Sequence, residues 1–392
     1  MAKSIIIVNN NLHIGGVQKS LIDFLKVNSN NYDITLCLFA ENGEFMADIP
    51  ENVKVISVTS LFNLLGISLA ESKKSLGRFI LRFFFALLFK LFGREFAMPF
   101  ILRSQQKISG SYDYAISYLH NGGSKSFYGG CNEFVIHKID AVQKIAFIHC
   151  DYRNAGSNTA YNNKLYESFD MIAACSYGCL QAFNEVLPSY KDKAFVVQNF
   201  HDFDNIAIMS LQDPVIYDNE YVNIVVVARL SSEKAIDRAI RALNYCLQNG
   251  AKARLHIVGD GILRNTLQDL AVLLKIESNV FFYGFSSNPY RFLKNSDLLL
   301  ITSYHEAAPL VIDEARFLNI PIISVRTTSS DDMILSTNSG FVCENNMDDL
   351  QNLLYKITSN KCLLNQVKNS MSKHKIDNTL AQTQLAQMLN NA

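Results

Sequence analysis

The feature that most constrains the fold of this 392-residue chain is the alternation of short apolar runs with segments of helical periodicity. Such runs predict buried strands, and helix-length segments between them favour β-α-β units with parallel sheets. Seven strands are predicted in the first half: Ile5–Val8, Asp33–Phe39, Val53–Val58, Tyr114–Ser117, Lys144–Ile148, Met171–Ala174 and Ala194–Val197. Five are predicted in the second half: Val222–Val227, Arg254–Val258, Val280–Tyr283, Asp297–Ile301 and Pro321–Val325.

The length of the chain exceeds what one hydrophobic core usually supports, so we predict two Rossmann-like, doubly wound α/β domains. The first spans residues 1–200. Residues 201–220 lack clear periodicity, contain acids and a proline, and are predicted to form a linker. The second domain spans residues 221–370, and residues 371–392 are predicted to form a closing helix.

Charge and cysteine content indicate the class of protein. The 36 Lys and Arg residues equal the 36 Asp and Glu residues, so net charge gives no indication of nucleic-acid binding. The eight cysteines are scattered and form no C-x-x-C pair, which favours reduced, core-filling thiols. The apolar run Ile5–Val8 is too short for the h-region of a signal peptide. We therefore expect a cytoplasmic protein.

The segment 76–103 breaks the alternation. Charges interrupt it too often for the ~20 apolar residues that a membrane span needs. Four of its cations are spaced by multiples of four and predict one basic stripe on an otherwise apolar helix: Arg78, Arg82, Lys90 and Arg94. The segment therefore fits two interpretations, a helix packed on the sheet with its cations in water or an interfacial helix on an anionic membrane.

Several ligand-binding features follow predicted strands. Gly15-Gly16 lies between a strand and a helix, where backbone N–H groups favour anions, although a plain turn would also use such a pair. Arg229 and Lys234 follow the strand Val222–Val227, where two cations could clamp a diphosphate or simply flank a helix. Gly259 ends the next strand. The shared position of these features at strand ends is stronger evidence for a ligand-binding site than any one motif.

The order of motifs in the second half resembles a known family. The chain contains A-R-L-x-x-E-K, then V-G-D-G, F-x-G-F and S-x-x-E-x7-E, the last with Glu306 and Glu314. This order resembles the retaining glycosyltransferases of family four, which have the GT-B fold of two Rossmann-like domains facing a cleft. In the first half, Gly15-Gly16 resembles the family's N-terminal glycine loop, and the segment FIHCDY, which contains His149, resembles the histidine-bearing segment of members that build polysaccharides.

The resemblance implies a retaining, metal-independent hexosyltransferase without a cofactor. Its donor would be a nucleotide-diphosphate sugar, most often a UDP-sugar. Its acceptor would be a saccharide or lipid-linked saccharide, used for surface polysaccharide or lipopolysaccharide at the cytosolic face of the inner membrane. Residues 76–103 would contact the anionic membrane. The implied catalytic residues are Glu306, His149 and Asp151. The implied donor-binding residues are Gly15, Gly16, Arg229, Lys234, Gly259, Phe285, Leu310, Val311 and Glu314.

Within this set, the resemblance assigns Glu314 to the ribose hydroxyls and Glu306 to the transferred sugar. Three alanines stand where the family usually has glycine, and each disfavours positive φ: Ala228, Ala235 and Ala307. The D-x-D sequence Asp202-Phe203-Asp204 lies in the predicted linker and is interpreted as coincidence rather than a metal site. Two alternatives remain, a sugar-nucleotide epimerase of similar fold and a non-catalytic nucleotide-sugar-binding protein.

Overall fold

The structure is a computed structural model that describes residues 2–374 and 376–390. It divides the chain into two compact units. The first unit comprises Met1–His201 and Asn378–Ala392, and the second comprises Asp202–Asp377. Each unit contains one parallel sheet flanked by helices, so the predicted pair of Rossmann-like α/β domains is confirmed.

The first unit has a seven-stranded sheet in the order β3-β2-β1-β4-β5-β6-β7. Its strands are β1 Ser4–Asn9, β2 Asp33–Leu38, β3 Lys54–Ser57, β4 Ser111–Ser117, β5 Asp140–Ile148, β6 Met171–Ala174 and β7 Ala194–Val196. Successive residues of β1 are buried on opposite faces, because Ile6 and Val8 belong to one apolar core and Ile5 and Ile7 to the other. Burial on both faces explains why these strands are continuous apolar runs.

The second unit has a six-stranded sheet in the order β10-β9-β8-β11-β12-β13. Its strands are β8 Val222–Val227, β9 Ala253–Val258, β10 Val280–Gly284, β11 Leu298–Ile301, β12 Ile322–Val325 and β13 Gly340–Cys343. β13 was not predicted from the sequence; it is a four-residue edge strand that begins with glycine. A Cβ on Gly340 would lie 1.9 Å from the Ile322 carbonyl oxygen, so close strand pairing requires glycine there.

Helices connect the strands. In the first unit they are α1 Gly16–Asn28, α2 Asn63–Gly66, α3 Leu69–Ser72, α4 Leu76–Phe92, α5 Arg94–Arg103, α6 Cys131–Lys138, α7 Ala160–Leu165, α8 Tyr177–Val186 and, from the C-terminal segment, α16 Thr379–Asn390. In the second unit they are α9 Phe203–Ser210, α10 Ile236–Gln248, α11 Arg264–Leu273, α12 Tyr290–Leu293, α13 Leu310–Phe317, α14 Met347–Thr358 and α15 Lys361–Met371.

The segment 201–220, predicted as a linker, contains the helix α9. Asp202 caps this helix by accepting a hydrogen bond from the backbone N–H of Asn205 at 3.2 Å, which gives half of the D-x-D sequence a structural role. Tyr217 is buried and donates to the Phe292 carbonyl at 3.0 Å, so the segment packs on the second unit. An eight-residue helix is too short for its periodicity to be visible in sequence.

The C-terminal segment returns to the first unit. Met371 ends α15 instead of beginning the closing helix, and α16 begins at Thr379. The side chains of Leu385 and Met388 pack in the core that contains Ile5. The Tyr114 hydroxyl donates to the Leu389 carbonyl at 2.9 Å, which fixes the end of α16 against β4.

Residues 76–103 form α4 and α5, joined at Gly93 with φ of 80°. Phe85 and Phe89 pack into the core of the first unit, whereas other large apolar residues of the two helices are exposed. We call this the α4–α5 apolar surface; it consists of Leu76, Ile80, Leu81, Phe83, Phe84, Leu87, Leu91, Phe92, Phe96 and Phe100. None of the described helices combines the length and apolar character needed to cross a bilayer.

The predicted basic stripe is wrong, because two of its four cations point toward protein. Arg94 is buried and forms an ion pair with Glu133, with 2.6 Å between Nε and Oε1. Arg82 is partly buried and donates to the Ile67 carbonyl at 3.2 Å. Arg78 and Lys90 are exposed. Arg78, Arg82 and Lys90 lie on α4, whereas Arg94 begins α5. Spacing alone could show neither this break nor which face of each helix the protein covers.

Candidate active site

The second unit has its topological switch point between β8 and β11, where the chain changes the direction in which it adds strands. In open parallel sheets, ligands bind outside the carboxyl ends of the strands at this point. A cavity lies there, and its lining includes Ala228, Lys234, Ser303, Glu306 and Val311. Residues far apart in sequence that resembled donor-binding and catalytic groups are thus brought to one place by the sheet.

Lys234 and Glu306 form the charged centre of this cavity. Lys234 Nζ lies 2.5 Å from Glu306 Oε1, and the Ser303 hydroxyl donates to the same oxygen at 2.6 Å. The Lys234 side chain is 24% exposed and the Glu306 side chain is 12% exposed, so the pair is largely buried but still reachable by solvent. A lysine and a carboxylate in this position offer a cation for a phosphate and an acceptor for hydroxyl groups.

The backbone around Lys234 is held in a strained conformation. Lys234 ends a 3-10 turn, and Ala235 follows with φ of 49° and ψ of 46°, a left-handed conformation that costs a non-glycine residue about 1–2 kcal/mol. The Thr302 hydroxyl lies within hydrogen-bonding distance of both the Lys234 and Ala235 carbonyl oxygens, at 3.1 and 3.0 Å. Of the three alanines at glycine positions, Ala235 is the one with positive φ.

Arg229 lies apart from the cavity lining. Its side chain is 73% exposed, and Nη2 is 3.5 Å from Glu233 Oε1. The pKa of Glu233 is lowered, mainly by the hydrogen bond from the Ser231 hydroxyl at 2.6 Å and further by Arg229 and Lys234. Lys234 therefore occupies the cavity, while Arg229 is positioned on the exposed loop beside it.

Glu314 lies on the second turn of α13, four residues after Leu310 and three after Val311. It is buried, and its Oε1 accepts a hydrogen bond from the Tyr290 hydroxyl at 3.2 Å. Tyr290 begins α12 and was missed in the sequence analysis, since a tyrosine after a proline carries no motif. α13 begins at Leu310, and the N-terminal end of a helix carries partial positive charge.

Gly259 is required by the sheet itself. It has φ of 140°, and a Cβ there would lie 1.9 Å from the Ala228 carbonyl oxygen. Its N–H donates to the Gly284 carbonyl at 2.8 Å. Phe285 follows β10 and is 59% exposed. The close approach of the chain after β8 to the chain after β9 explains why residue 259 is glycine. Phe285, after β10, is exposed and could contact a ligand.

In the first unit, Gly15 precedes α1 and Gly16 begins it, and the space beside Gly16 is open. Asp151 is buried and accepts hydrogen bonds from the Arg153 N–H at 3.0 Å and from the Asn154 side chain at 2.8 Å, so its carboxylate organises the turn after β5. His149 is half-buried as a residue, but its Nε2 atom is buried, and its ring lies 4.8 Å from that of Tyr118. Burial lowers the pKa of His149 to about 3.

Comparison with known proteins agrees with this geometry. Residues 212–374 match the family described as glycosyl transferases group 1. An uncharacterized glycosyltransferase of Methanocaldococcus jannaschii is 33% identical over 143 residues, which are 35% of this chain and 34% of that protein. The UDP-Gal:alpha-D-GlcNAc-diphosphoundecaprenol alpha-1,3-galactosyltransferase of Escherichia coli is 28% identical over 151 residues, 38% of this chain and 39% of that protein. The chain thus spans little more than a third of these relatives' lengths.

The structural comparison extends over the whole chain. Anabaena HepE in complex with UDP superposes with a TM-score of 0.69 at 16% identity, covering 99% of this chain and 100% of that one. The chain thus has the fold class of GT-B proteins, as predicted. The match of residues 212–374 to the glycosyl transferases group 1 confirms the resemblance to family-four glycosyltransferases.

Proposed function

We propose that this chain is a retaining, metal-independent glycosyltransferase that moves a hexose from a UDP-sugar to a lipid-linked saccharide in the synthesis of a surface polysaccharide. The observation that carries the proposal is the Lys234–Glu306 pair at the switch point of the second unit, inside the segment that matches the family. The names of similar proteins support the substrates, because the E. coli relative transfers from UDP-Gal to a diphosphoundecaprenol acceptor and HepE was solved with UDP.

In this proposal, the second unit holds the nucleotide. Lys234 and the N-terminal end of α13 offset the negative charge of the departing diphosphate, which is the contribution that a metal ion makes in other transferases. Arg229, on its exposed loop, reaches toward the diphosphate as a second cation. Glu306 accepts hydrogen bonds from the transferred sugar, and Glu314 accepts them from the ribose hydroxyls, oriented by Tyr290.

The ribose assignment gives a prediction. Glu314→Gln keeps the shape of the side chain but removes its charge, and hydrogen bonds to charged groups contribute about 1.5–3 kcal/mol. We therefore expect calorimetry to show UDP binding about 10- to 150-fold weaker, with an unchanged circular dichroism spectrum. Glu277→Gln, at an exposed position of the same unit, should bind UDP normally.

The opposite pattern would reverse the assignment of the two glutamates. If Glu314→Gln bound UDP normally while Glu306→Gln did not, Glu306 would be the ribose ligand. Tyr290→Phe should give a smaller loss than Glu314→Gln, because it removes one orienting hydrogen bond and leaves the carboxylate in place.

The function itself is tested in two steps. First, a panel of UDP-sugars should raise the melting temperature, since a ligand that binds only the folded state stabilises it. Second, the best donor is incubated with a lipid-linked saccharide. A glycosylated acceptor with retained anomeric configuration supports the proposal, an altered UDP-sugar without acceptor identifies an epimerase, and binding without any product identifies a non-catalytic binding protein.

We propose further that the α4–α5 apolar surface attaches the first unit to the cytosolic face of an anionic membrane. Large apolar side chains that are exposed together on one part of a protein often mark an interaction site. On α4, Ile80, Phe83, Phe84 and Leu87 fall on one helix face, and Lys90 lies at its edge. Attachment would rest mainly on apolar insertion, with cations outside the patch supplying the preference for anionic lipid. Those exposed cations include Lys73, Lys74, Arg78, Lys90 and Arg103.

The membrane proposal predicts the effect of removing three apolar side chains. Phe83→Ser, Phe84→Ser and Leu87→Ser together should lower co-sedimentation with phosphatidylglycerol vesicles by about 100-fold, taking about 1 kcal/mol for each partly inserted side chain. Val272→Ser with Leu273→Ser, an exposed apolar pair of the second unit, is the matched control and should bind as the unmodified protein does. Equal binding of the unmodified protein to phosphatidylcholine and phosphatidylglycerol vesicles would refute the anionic preference.

A further inference from the structure

The first unit also has a switch point, between β1 and β4. The same rule that places a ligand beside β8 and β11 places one at the carboxyl ends of these strands. After β1, the side-chain amides of Asn10 and Asn11 are used to hold loops, donating to the Leu65 and Gly66 carbonyls at 3.1 and 2.7 Å. After β4 comes His120, a residue that neither the motif analysis nor the family resemblance singled out.

The register of the sheet places His120 beside His149. Ser117 of β4 pairs with Ala146 of β5, and each histidine lies three residues further along its own chain. The next residues along each chain agree with this register, because the rings of Tyr118 and Phe147 stack with their centroids 5.0 Å apart. Neighbouring strands are about 4.8 Å apart, so the two imidazoles lie at adjacent strand ends.

Each imidazole has a nitrogen without a protein partner. Among the residues that the structure describes, His120 Nδ1 and His149 Nε2 are buried and accept or donate no hydrogen bond. Buried polar atoms are rarely left unpaired in folded proteins, because each costs the desolvation of a polar group. Two such atoms, at the carboxyl ends of β4 and β5 and therefore next to the switch point, indicate a place where a polar ligand completes the hydrogen bonding.

The charge state of the pair indicates which ligand fits. Burial lowers the pKa of His120 to about 4 and that of His149 to about 3, the latter with a further contribution from His120. Both rings are therefore neutral near pH 7, and a neutral imidazole has one donor and one acceptor. A hydroxyl group matches this combination because it both donates and accepts, whereas a phosphate would need cations.

We propose that His120 is a saccharide-binding residue of the first unit, which together with His149 hydrogen-bonds hydroxyl groups of a substrate sugar. The inference rests on the proposed glycosyltransferase function. The sugar belongs either to the UDP-sugar or to the acceptor saccharide, and the chemistry of recognition is the same for both.

The direct test is nitrogen-15 NMR of the full chain labelled at histidine, with the signals of His120 and His149 assigned from single variants. The probes are UDP alone, then UDP-glucose, UDP-galactose and UDP-N-acetylglucosamine in turn, and methyl α-glucoside. We expect the ring-nitrogen signals of both histidines to move with a UDP-sugar or with the glucoside, and to stay unchanged with UDP alone. Movement with UDP-sugars only identifies the donor sugar, and movement with the glucoside identifies the acceptor site.

Two variants separate hydrogen bonding from packing. His120→Phe fills the space without polar atoms, and His120→Asn places an amide near the position of Nδ1. For the saccharide that moves the signals, we expect His120→Phe to raise KM about 3- to 10-fold, the effect of one neutral hydrogen bond. His120→Asn should restore part of this loss. His137→Gln, on α6 of the same unit, is the control and should leave KM unchanged.

The outcomes distinguish this inference from the proposed function. If UDP-sugars bind by calorimetry but the His120 signals stay unchanged, or if His120→Phe and His120→Asn reduce stability and turnover alike, His120 is a packing residue and the inference is overturned. If neither UDP nor any UDP-sugar binds, the proposed function fails, and the inference that rests on it fails as well.

Discussion

Arg94→Met should lower the free energy of unfolding of the first unit by about 3–5 kcal/mol, because it leaves Glu133 charged and buried without its partner. Both side chains are fully buried. Arg94 also donates to the Asn121 side chain at 3.0 Å and to the Tyr128 carbonyl at 2.8 Å. The substitution therefore removes the ion pair and the hydrogen bonds that hold the loop after β4 against the start of α5.

The measurement is hydrogen exchange with mass spectrometry, which reports on the peptides of β4 and β5 separately from those of the second unit. The double variant Arg94→Met with Glu133→Leu should recover most of the loss, since an apolar pair of similar size often replaces a buried ion pair at little cost. Glu185→Gln removes the exposed partner of Arg153 and should cost less than about 1 kcal/mol. A double variant as unstable as Arg94→Met would show that packing, not charge, sets the effect.

The same pair makes stability depend on pH. Burial alone raises the pKa of Glu133, but the charge of Arg94 and its hydrogen bonds outweigh burial, so the pKa is lowered. A carboxyl group with a lowered pKa in the folded state stabilises the protein above its unfolded pKa, near 4.3, and this stability is lost as pH falls toward the folded value. The double variant should therefore lose less stability than the unmodified protein below about pH 4.3.

The arrangement of strands was largely predictable because buried parallel strands are continuous apolar runs. The predictions failed for features that depend on a residue far away in sequence. Gly340 begins β13, and the reason for the glycine is the Ile322 carbonyl on the neighbouring strand. Arg94 was predicted as a surface cation because its helical spacing matched that of Arg78, whereas its environment is set by Glu133, 39 residues later.

In the candidate site, too, contacts between residues distant in sequence were not predicted. Motifs predicted both Glu306 and Lys234 as site residues. Their direct pairing across 72 residues was not predicted, because it depends on the adjacency of β8 and β11. Tyr290 and His120 have no motif at all. His120 becomes visible only once the register of β4 with β5 places it beside His149, and Tyr290 only once its hydroxyl is seen to contact Glu314.

The other large effect is expected at Lys234. Lys234→Met removes the cation that, in the proposed function, contacts the diphosphate of the donor. Hydrogen bonds to charged groups contribute about 1.5–3 kcal/mol, so UDP should bind about 10- to 150-fold more weakly, as measured by calorimetry. Turnover of the UDP-sugar should fall by about 10²–10³-fold, because charge on the leaving group grows in the transition state. Uridine, which has no phosphate, should bind both proteins equally.

The existing ion pair determines how this experiment must be controlled. Lys234 already contacts Glu306, so its loss also leaves that carboxylate, 12% exposed, with the Ser303 hydroxyl as a remaining donor. Lys234→Met combined with Glu306→Gln removes this imbalance, and weak UDP binding should persist in it if the cation acts on the diphosphate. Lys252→Met, which removes an exposed lysine 3.9 Å from Glu220, should change neither binding nor turnover. If the double variant instead bound UDP as tightly as the unmodified protein, the single variant's defect would come from the unpaired Glu306 repelling the phosphates, and Lys234 would serve to neutralise Glu306 rather than to bind the donor.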